Sequence, residues 1–474
     1  MAMLGKRRPP RQRSGVSGLQ GRASEPSVRT TTTDAEVTAV TVQRLAHDGR
    51  GVARSASGKT LFIEGALPGE RLEVAVHRAR KRFDEAHVRE LLEASPERVD
   101  PPCPHYAQCG GCDLQHLSVA AQRRHKQAVL VDLLAREGIS LPTPPALLAD
   151  AVAGYRRRAR LGVKVDAQGR VHLGFRVHHG SRLVDVESCL VLVPALEVLL
   201  VPLRDLLARL DAPRQVGHLE LVAADDSAVV VVRQLRDNQA DRQRWQAFSH
   251  EQGVAVGHLG GRDAPVFEWL CAPPDLAYRL PGRDADLKLC FGPGDFLQVN
   301  EAVNAQLVAT TREWLAPMAG ERVLDLYAGV GNFSLPLAAD GATVTAVEGN
   351  PAMVERLVDN ARSNGLAVDA RQADLIREEA VVALLKGIEP DAVVLDPPRD
   401  GAAPACRALV ERPVARLVYV ACDPATLARD AARLVHGGYR ITRAAVADMF
   451  VHTSHLESIL LFEHCERQPP SQGA

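Results

Sequence analysis

Three side chains with nucleophilic or acid–base chemistry lie next to apolar runs near the C-terminal end of the sequence. Asp396 follows the run AVVL, Cys422 follows RLVYVA, and Glu457 stands just before ILLFEH. If these runs are strands of one open α/β sheet, their ends meet at the edge where such folds bind ligands. A cysteine and a carboxylate at that edge predict nucleophilic catalysis assisted by proton transfer.

The sequence after Cys422 predicts a helix that begins with Ala425-Thr426-Leu427. The positive end of that helix, together with basic neighbours, is expected to favour the thiolate form of Cys422. A buried, unreactive thiol is the alternative interpretation of this residue.

A glycine turn within Arg322 to Phe333 (RVLDLYAGVGNF) predicts a nucleoside-binding loop between a strand and a helix. Glu348 ends the next predicted strand and Asp374 the third, where an acid can bind ribose hydroxyls. The GxGxxG pattern of dinucleotide sites is absent, so S-adenosylmethionine is favoured over a dinucleotide.

A nucleophilic cysteine, a carboxylate and a methyl donor together suit methylation of carbon 5 of uracil. That carbon is a poor nucleophile until a thiolate adds to carbon 6 and generates an enolate. A base must afterwards remove the carbon 5 proton, which is the role expected of Glu457. In a folded RNA the uracil must be flipped out of its stack to reach such a site.

The sequence contains nine cysteines at irregular spacing, which argues against a disulfide framework. Cys103, Cys109 and Cys112 lie within ten residues, and Cys189 is the best candidate for a fourth ligand. Thiolates in this number favour zinc or an iron–sulfur cluster. No second CxxC motif is present, which favours a [4Fe-4S] cluster over zinc, and the CxxxCxxC spacing of radical enzymes is not matched. Buried apolar thiols are the alternative.

The composition is that of a folded chain with no overall positive charge. Its 474 residues predict about three domains, and its net charge is -1. Residues 1–33 carry seven basic side chains and one acid, which predicts a disordered basic arm of charge +6 and leaves -7 on the other 441 residues. No secretory signal and no uninterrupted apolar stretch of membrane-spanning length is present, so we expect a cytoplasmic protein.

Patterns of apolar residues predict three regions that differ in secondary structure. Short β-rich runs between Val37 and Leu92 predict an OB-like barrel, in which a basic cluster from His77 to Phe83 could contact RNA or form a solvated hairpin tip. Residues 118–137 predict a helix, and residues 155–289 a second β-containing region. Beyond Phe291, strands alternate with helices, which predicts βαβ units and a parallel sheet.

Several motifs closely resemble those of the uracil-C5 RNA methyltransferase family, in particular its TRAM-domain, iron–sulfur type that acts on a uridine of 23S ribosomal RNA. The motifs are CPHYAQCGGCDLQH, YRRRARL, DFLQVN, the glycine loop, DPPRDGA, YVACDPATLARD and HTSHLES. The resemblance extends from about Val37 to Glu463. It implies a Rossmann-like S-adenosylmethionine-dependent methyltransferase domain, an N-terminal OB-like TRAM barrel and a central β-rich domain that carries an iron–sulfur cluster.

The resemblance also implies roles for individual residues of this sequence. The nucleophile falls on Cys422 and the proton-abstracting base on Glu457. The cluster ligands fall on Cys103, Cys109, Cys112 and Cys189. The S-adenosylmethionine contacts fall on Gln298, Tyr327, Asn332, Glu348, Asp374 and Asp396. This chain has Asp423 and Tyr327 where the family commonly has Asn and Phe, which affects local hydrogen bonding rather than the reaction.

The resemblance and the changes in composition along the chain together predict the domain boundaries and an RNA-binding segment. A basic arm (1–33) is followed by the TRAM barrel (34–95), the central domain (96–290), the methyltransferase domain (291–465) and a tail (466–474). A basic run on a predicted strand is interpreted as a site that binds RNA phosphates. Because successive side chains of a strand point to opposite faces of the sheet, only part of the run can face RNA. The run consists of Arg156, Arg157, Arg158, Arg160 and Lys164.

The sequence leaves open other RNA substrates and other classes of function. The same chemistry could act on transfer RNA or on a second ribosomal site, and a catalytically silent RNA-binding protein could retain the fold. An RNA cytosine-C5 methyltransferase would require a Pro-Cys or Thr-Cys motif, which Asp396-Pro397-Pro398-Arg399 lacks. The accessory regions and basic clusters disfavour a small-molecule methyltransferase. 23S ribosomal RNA is the expected partner, no membrane partner is expected, and a monomer is the working expectation.

Overall fold

The computed structural model describes residues 38–178 and 180–464, which form 23 strands and ten α-helices. The predicted basic arm (1–33) and tail (466–474) lie outside the described residues. Among the described residues the chain divides into two compact units, of which the first comprises 38–44 and 51–94, and the second comprises 45–50 together with 95–178 and 180–464.

The first unit is built on a curled sheet whose strand order, within the described residues, is β1-β5-β6-β4-β3-β2. Alternate side chains such as Leu61, Ile63, Leu72 and Val74 are buried and form its small core. The structure has one short strand more than the five predicted for the barrel. The strands are β1 (Thr38–Thr41), β2 (Arg44–Leu45), β3 (Gly51–Arg54), β4 (Thr60–Glu64), β5 (Arg71–Ala79) and β6 (Phe83–Glu93).

The middle of the chain forms a mixed sheet of order β10-β9-β8-β11-β12-β13-β14. Leucines and valines of these strands pack with Trp245 and Phe248 in one apolar cluster. The elements are α1 (Val119–Arg136), β7 (Ala146–Leu148), β8 (Arg158–Val165), β9 (Val171–Arg176), β10 (Leu183–Asp185), α2 (Pro194–Glu197), α3 (Leu200–Arg209), a 3-10 turn (Pro213–Gln215), β11 (Val216–Ala223), β12 (Ala228–Gln234), α4 (Gln239–Gln252), β13 (Ala255–Gly260) and β14 (Val266–Trp269).

The C-terminal part of the chain contains a two-stranded ribbon, β15-β16, and a sheet of order β19-β18-β17-β20-β21-β23-β22-β7. The elements are β15 (Ala277–Leu280), β16 (Leu287–Cys290), α5 (Glu301–Leu315), β17 (Arg322–Leu326), α6 (Ser334–Ala339), β18 (Thr343–Glu348), α7 (Pro351–Ser363), β19 (Val368–Gln372), α8 (Glu378–Ile388), β20 (Ala392–Leu395), α9 (Ala403–Glu411), β21 (Arg416–Ala421), α10 (Pro424–His436), β22 (Tyr439–Ala447) and β23 (Glu457–His464).

The five strands from β19 to β21 in this sheet are parallel, as the sequence predicts, and β23 is antiparallel to β21. All four residues of β20 are buried, because apolar clusters cover both faces of the sheet. Such two-sided burial explains why the parallel strands are continuous apolar runs rather than alternating ones.

Two elements from the middle of the chain join this C-terminal sheet. β7 pairs in parallel with β22, and α1, which matches the predicted helix, packs Leu130 and Leu134 into the same cluster as α9 and α10. The proposed domain boundaries stay a prediction. In the described part of the chain, no helix is both long and apolar enough to cross a membrane.

Candidate active site

Strand direction brings the candidate catalytic residues to one edge of the C-terminal sheet. Asp396 and Cys422 directly follow the parallel strands β20 and β21. β23 runs in the opposite direction, so its first residue, Glu457, lies at that same edge. The register pairs Ala421 with Ser458, which places the next residue of each strand, Cys422 and Glu457, side by side.

The three groups lie close enough to influence one another's pKa. Burial, followed by the carboxyl groups of Glu457 and Asp396, raises the pKa of the Cys422 thiol to about 12. Burial and Asp396 raise the pKa of Glu457, whose side chain is 3% exposed. Burial and Asp325 raise the pKa of Asp396 to about 7. The site therefore concentrates acidic groups that hold protons more tightly than they would in water.

The expected lowering of the Cys422 pKa by the helix and by basic neighbours is not seen, because burial and two carboxyl groups raise that pKa instead. Asp423 caps α10, and its carboxylate accepts the N–H groups of Ala425 at 3.0 Å and Thr426 at 2.9 Å. The cap occupies donors at the positive end of the helix, so they do not stabilise the neighbouring thiolate. Arg399 alone among the main charged neighbours lowers the pKa of Cys422, and burial outweighs it.

The glycine loop after β17 adopts a conformation that brings its backbone to Glu348. Tyr327 has a φ of 68°, and Gly331 has a φ of 102°. The N–H of Gly329 donates to Oε2 of Glu348 at 3.1 Å, and the N–H of Asn350 donates to Oε1 at 2.8 Å. The carboxylate is thus fixed at the strand end, with lone pairs left for further donors.

Asn332 is held by residues that the sequence did not single out. Its amide exchanges hydrogen bonds with Asn304 of α5, at 2.9 and 3.0 Å, and Oδ1 also accepts from the hydroxyl of Tyr278 at 3.1 Å. Arg157 stacks over the Tyr278 ring at 4.9 Å and donates from Nε to the backbone oxygen of Gln298 at 3.0 Å. Asn332 and Gln298 are therefore linked through one polar network.

Asp374 and Tyr327 lie at the same end of the sheet. Asp374 is exposed and lies two residues beyond β19, although the sequence placed it at the end of that strand. Its Oδ1 accepts the N–H of Ile376 at 3.1 Å. Burial, together with nearby groups that include Asp374, raises the pKa of Tyr327.

Asp325 is a site residue that sequence reasoning missed. It lies within β17, is completely buried, and accepts a hydrogen bond from Ser334 at 2.5 Å. Burial and the charge of Glu348 raise the pKa of Asp325 to about 7. The available signal was an acid inside the apolar run VLDL, since an acid in a buried strand requires a partner or a function.

The four candidate cluster cysteines influence one another electrostatically. Burial, and then the thiols of Cys189, Cys109 and Cys103, raise the pKa of Cys112 to about 12. Gly110 lies so close to the end of β9 that an added Cβ would approach a backbone oxygen of that strand to 2.9 Å. Within residues 38–178 and 180–464, no three His, Cys, Asp or Glu side chains are arranged to hold a metal ion.

Only part of the basic run beginning at Arg156 faces solvent, and two of its arginines bind the protein itself. Arg157 is 3% exposed. Arg158 pairs with Glu220 and donates to the backbone oxygen of Asp295. Arg160 and Lys164 are exposed, as strand alternation predicts for one face.

The fold is that of an S-adenosylmethionine-dependent methyltransferase. A solved tRNA (uracil-54, C5)-methyltransferase of Pyrococcus abyssi, in complex with S-adenosyl-L-homocysteine, matches 89% of this chain and 99% of its own with a TM-score of 0.68 and 22% identity. A family model described as tRNA (Uracil-5-)-methyltransferase matches residues 276–465, and a TRAM domain model matches residues 32–88. The predicted fold class is confirmed, apart from its cluster.

Full-length relatives are similar over more than nine tenths of this chain. A 23S rRNA (uracil(1939)-C(5))-methyltransferase of Halomonas elongata is 58% identical, covering 100% of this chain and 99% of the relative. Relatives of the same description in Chromohalobacter salexigens and Salmonella choleraesuis are 55% and 42% identical, covering 97% and 92% of this chain and 95% and 98% of the relatives. The chain belongs to the uracil-C5 RNA methyltransferase family, which confirms the resemblance seen in its motifs.

Proposed function

We propose that this protein methylates carbon 5 of one uridine in 23S ribosomal RNA, at the position corresponding to uracil 1939 of its relatives. The observation that carries the proposal is the cluster of Cys422, Glu457 and Asp396 at the carboxyl edge of the sheet. The relatives named above act on that uracil by their description. A protein that only bound RNA would not require a thiol and two carboxyls to be buried together.

Cys422 acts as the nucleophile in the proposed reaction. Its thiol is protonated in the free protein, so a proton must leave before or while sulfur bonds to carbon 6 of the uracil. The new bond moves electron density to carbon 5, which then attacks an electrophilic methyl group. The ionised carboxylate of Asp396 is the proposed acceptor of this proton, because Glu457 must stay ionised for its later role as a base.

Glu457 acts as the base that completes the reaction. After methylation, its carboxylate removes the proton from carbon 5, the carbon 5–carbon 6 double bond reforms, and the Cys422 sulfur is expelled. Glu457 must be ionised at that moment although its burial favours the neutral form. Arg399, which lowers the pKa of Glu457, supports the ionised form.

S-adenosylmethionine, which supplies the sulfonium methyl group, fits the residues around the glycine loop. Glu348 is proposed to bind the ribose hydroxyls, and the positive φ angles of Gly329 and Gly331 support a close approach of the backbone to the ligand. Gln298, Tyr327, Asn332, Asp374 and Asp396 are proposed as the remaining contacts. Tyr327, Asn332, Asp374 and Asp396 lie in the loops that follow parallel strands, which supports this assignment. Gln298 lies before α5 and is linked to Asn332 through Arg157 and Tyr278.

We assign a [4Fe-4S] cluster to Cys103, Cys109, Cys112 and Cys189. The four thiols lie close enough to affect one another's pKa. Four thiolates suit zinc or an iron–sulfur cluster, and the lack of a second CxxC motif in the sequence favours the cluster.

The exposed side chains of Arg160 and Lys164 are the part of the basic run proposed to contact RNA phosphates. In the first unit, Arg80, Lys81 and Arg82 form an exposed basic tip that suits the same role. The Phe83 ring packs perpendicular to the Phe62 ring, with centroids 5.3 Å apart, so part of the Phe83 ring is engaged within the unit.

The test combines mapping of methylated uridines with active-site variants. Cells that lack the protein should lose 5-methyluridine at one position of 23S ribosomal RNA, and the wild-type gene should restore it. Cys422→Ala should bind S-adenosylmethionine but transfer no methyl group, because no enolate forms. Glu457→Gln should accumulate a covalent adduct with RNA on denaturing gels, because the sulfur cannot be expelled.

Each alternative has a distinct outcome in this test. Loss of the modified base from transfer RNA, or from a second ribosomal position, would reassign the substrate. An unchanged modification map would support a silent RNA-binding protein. Normal turnover by Cys422→Ala would exclude the thiol mechanism.

A further inference from the structure

The chain between β22 and β23, residues 448–456, is held by residues from the cysteine-rich segment and α1. We call it the return segment. Lys126 of α1, fully buried, donates to Oδ1 of Asp448 at 2.7 Å and to the backbone oxygen of Phe450 at 2.8 Å. The hydroxyl of Tyr155 donates to the backbone oxygen of Val451 at 2.9 Å. Hydrogen bonds from Lys126 and Tyr155 therefore help to fix the return segment, in addition to the flanking strands β22 and β23.

The tightest contacts fall on the turn at His452 to Ser454. The N–H groups of Asp113 and Leu114 donate to the backbone oxygen of His452 at 3.0 and 2.9 Å, and the N–H of His452 donates to Gln122 at 2.9 Å. His452 has a φ of 69°, a conformation that costs energy for a residue other than glycine and persists where surrounding bonds impose it.

Asp113 closes this turn with its side chain. Its Oδ1 accepts the N–H of Ser454, and its Oδ2 accepts the hydroxyl of the same residue, both at 2.7 Å. Hydrogen bonds to a carboxylate are stronger than those between neutral groups, and two of them fix orientation as well as distance. Glu457 begins β23 three residues further along the chain.

We propose that Asp113 is a positioning residue for Glu457 and that it acts on the removal of the carbon 5 proton. This inference rests on the proposed function. Cys422 directly follows β21, on another part of the chain, whereas Glu457 is the first residue of β23 and directly follows the return segment. Loosening the turn at Ser454 therefore displaces the base more than the nucleophile, and displacement of a reacting group by about 1 Å costs on the order of a hundredfold in rate.

Asp113 directly follows Cys112, so the turn also connects the cysteine-rich segment to the base. The assignment of Asp113 needs no metal, because its contacts are made by protein groups alone.

RNA that carries 5-fluorouridine separates the two halves of the reaction. Fluorine at carbon 5 leaves no proton to remove, so thiol addition and methylation produce an adduct that persists whatever base is present. The rate of adduct formation on this RNA measures thiol addition by Cys422 and the methylation that follows. Turnover on ordinary RNA also requires Glu457.

Asp113→Ala should slow turnover on ordinary RNA by about 10- to 100-fold and accumulate methylated adduct, while adduct formation on fluorinated RNA stays within about threefold of wild type. Asp113→Asn should recover most of the turnover, because its amide can accept from the Ser454 N–H and donate to the Ser454 hydroxyl. Asp132→Ala, at an exposed aspartate of α1, serves as the control and should behave as wild type.

Hydrogen–deuterium exchange gives a readout independent of activity. The amide of Ser454 should exchange faster in Asp113→Ala, while the amides within β21 remain protected. Normal turnover by Asp113→Ala, or equal slowing of both reactions, would overturn the positioning role. If wild-type protein forms no adduct with fluorinated RNA, the thiol mechanism itself fails, and the role of Asp113 fails with it.

Discussion

The carboxyl group of Asp325 lies within β17 and titrates far from its ordinary range, because burial and Glu348 raise its pKa to about 7. In the unfolded chain it ionises near 3.8. Between these two values the folded protein binds a proton that the unfolded chain has released. The contribution of Asp325 to stability is therefore complete below about pH 4 and is lost as the pH rises through 7.

Asp325→Asn removes this titration and keeps an acceptor for Ser334. We expect the stability of wild type relative to the variant to fall between about pH 4 and pH 7 by a few kcal/mol, at about 1.4 kcal/mol per pKa unit, and to level off above pH 7. Urea unfolding at several pH values measures the difference. Asp284→Asn, at an exposed aspartate, should show no such trend, and a parallel response of wild type and Asp325→Asn would contradict the prediction.

Sequence patterns located the individual catalytic candidates but did not describe their protonation. Cys422 was recognisable because it directly follows an apolar strand run. Its raised pKa was not recognisable, because it depends on burial and on carboxyl groups that approach from other strands. The role of Asp423 as a helix cap was readable in principle from an aspartate before a proline and a helix.

At the scale of elements, the turn between β17 and α6 carries a strict requirement for glycine. Gly331 has a φ of 102°, and an added Cβ would approach Leu335 to 2.2 Å. Gly331→Ala should therefore destabilise the protein by about 1–3 kcal/mol and weaken the binding of S-adenosylmethionine, as measured by urea unfolding and calorimetric titration.

A matched glycine on α8 provides the control. Gly387 lies near the end of that helix with no atom within 4 Å of an added Cβ. Gly387→Ala should stabilise the protein by about 0.4–1 kcal/mol and leave binding unchanged. Equal effects of the two substitutions would show that the turn tolerates a side chain.

The order of elements could be read from the sequence, but some of their partners could not. Parallel strands such as β20 are short apolar runs that alternate with helices, and this rhythm predicts a parallel sheet. The pairing of β7 with β22 joins residues nearly three hundred positions apart, and no local pattern encodes such a contact. The hydrogen bond between Asp113 and Ser454 also joins residues far apart in the sequence, so no local pattern predicts it either.

At the scale of the whole molecule, the four proposed cluster ligands connect a cysteine-rich loop to Cys189 after β10. Protein purified without oxygen should contain about four iron and four sulfide per chain. Cys189→Ser should lose most of both, because one of four ligands is removed. Cys290→Ser, at a cysteine on β16, should retain them, and zinc in place of iron would refute the assignment.

The protonated state of Cys422 has a consequence outside the methylation reaction. Peroxides and alkylating agents react with thiolates far faster than with thiols, and a thiol whose pKa lies near 12 is overwhelmingly protonated at neutral pH. We therefore expect Cys422 of the free protein to react slowly with peroxides and alkylating agents. In the proposed reaction, the reactivity of this sulfur rises only when a flipped base enters the site.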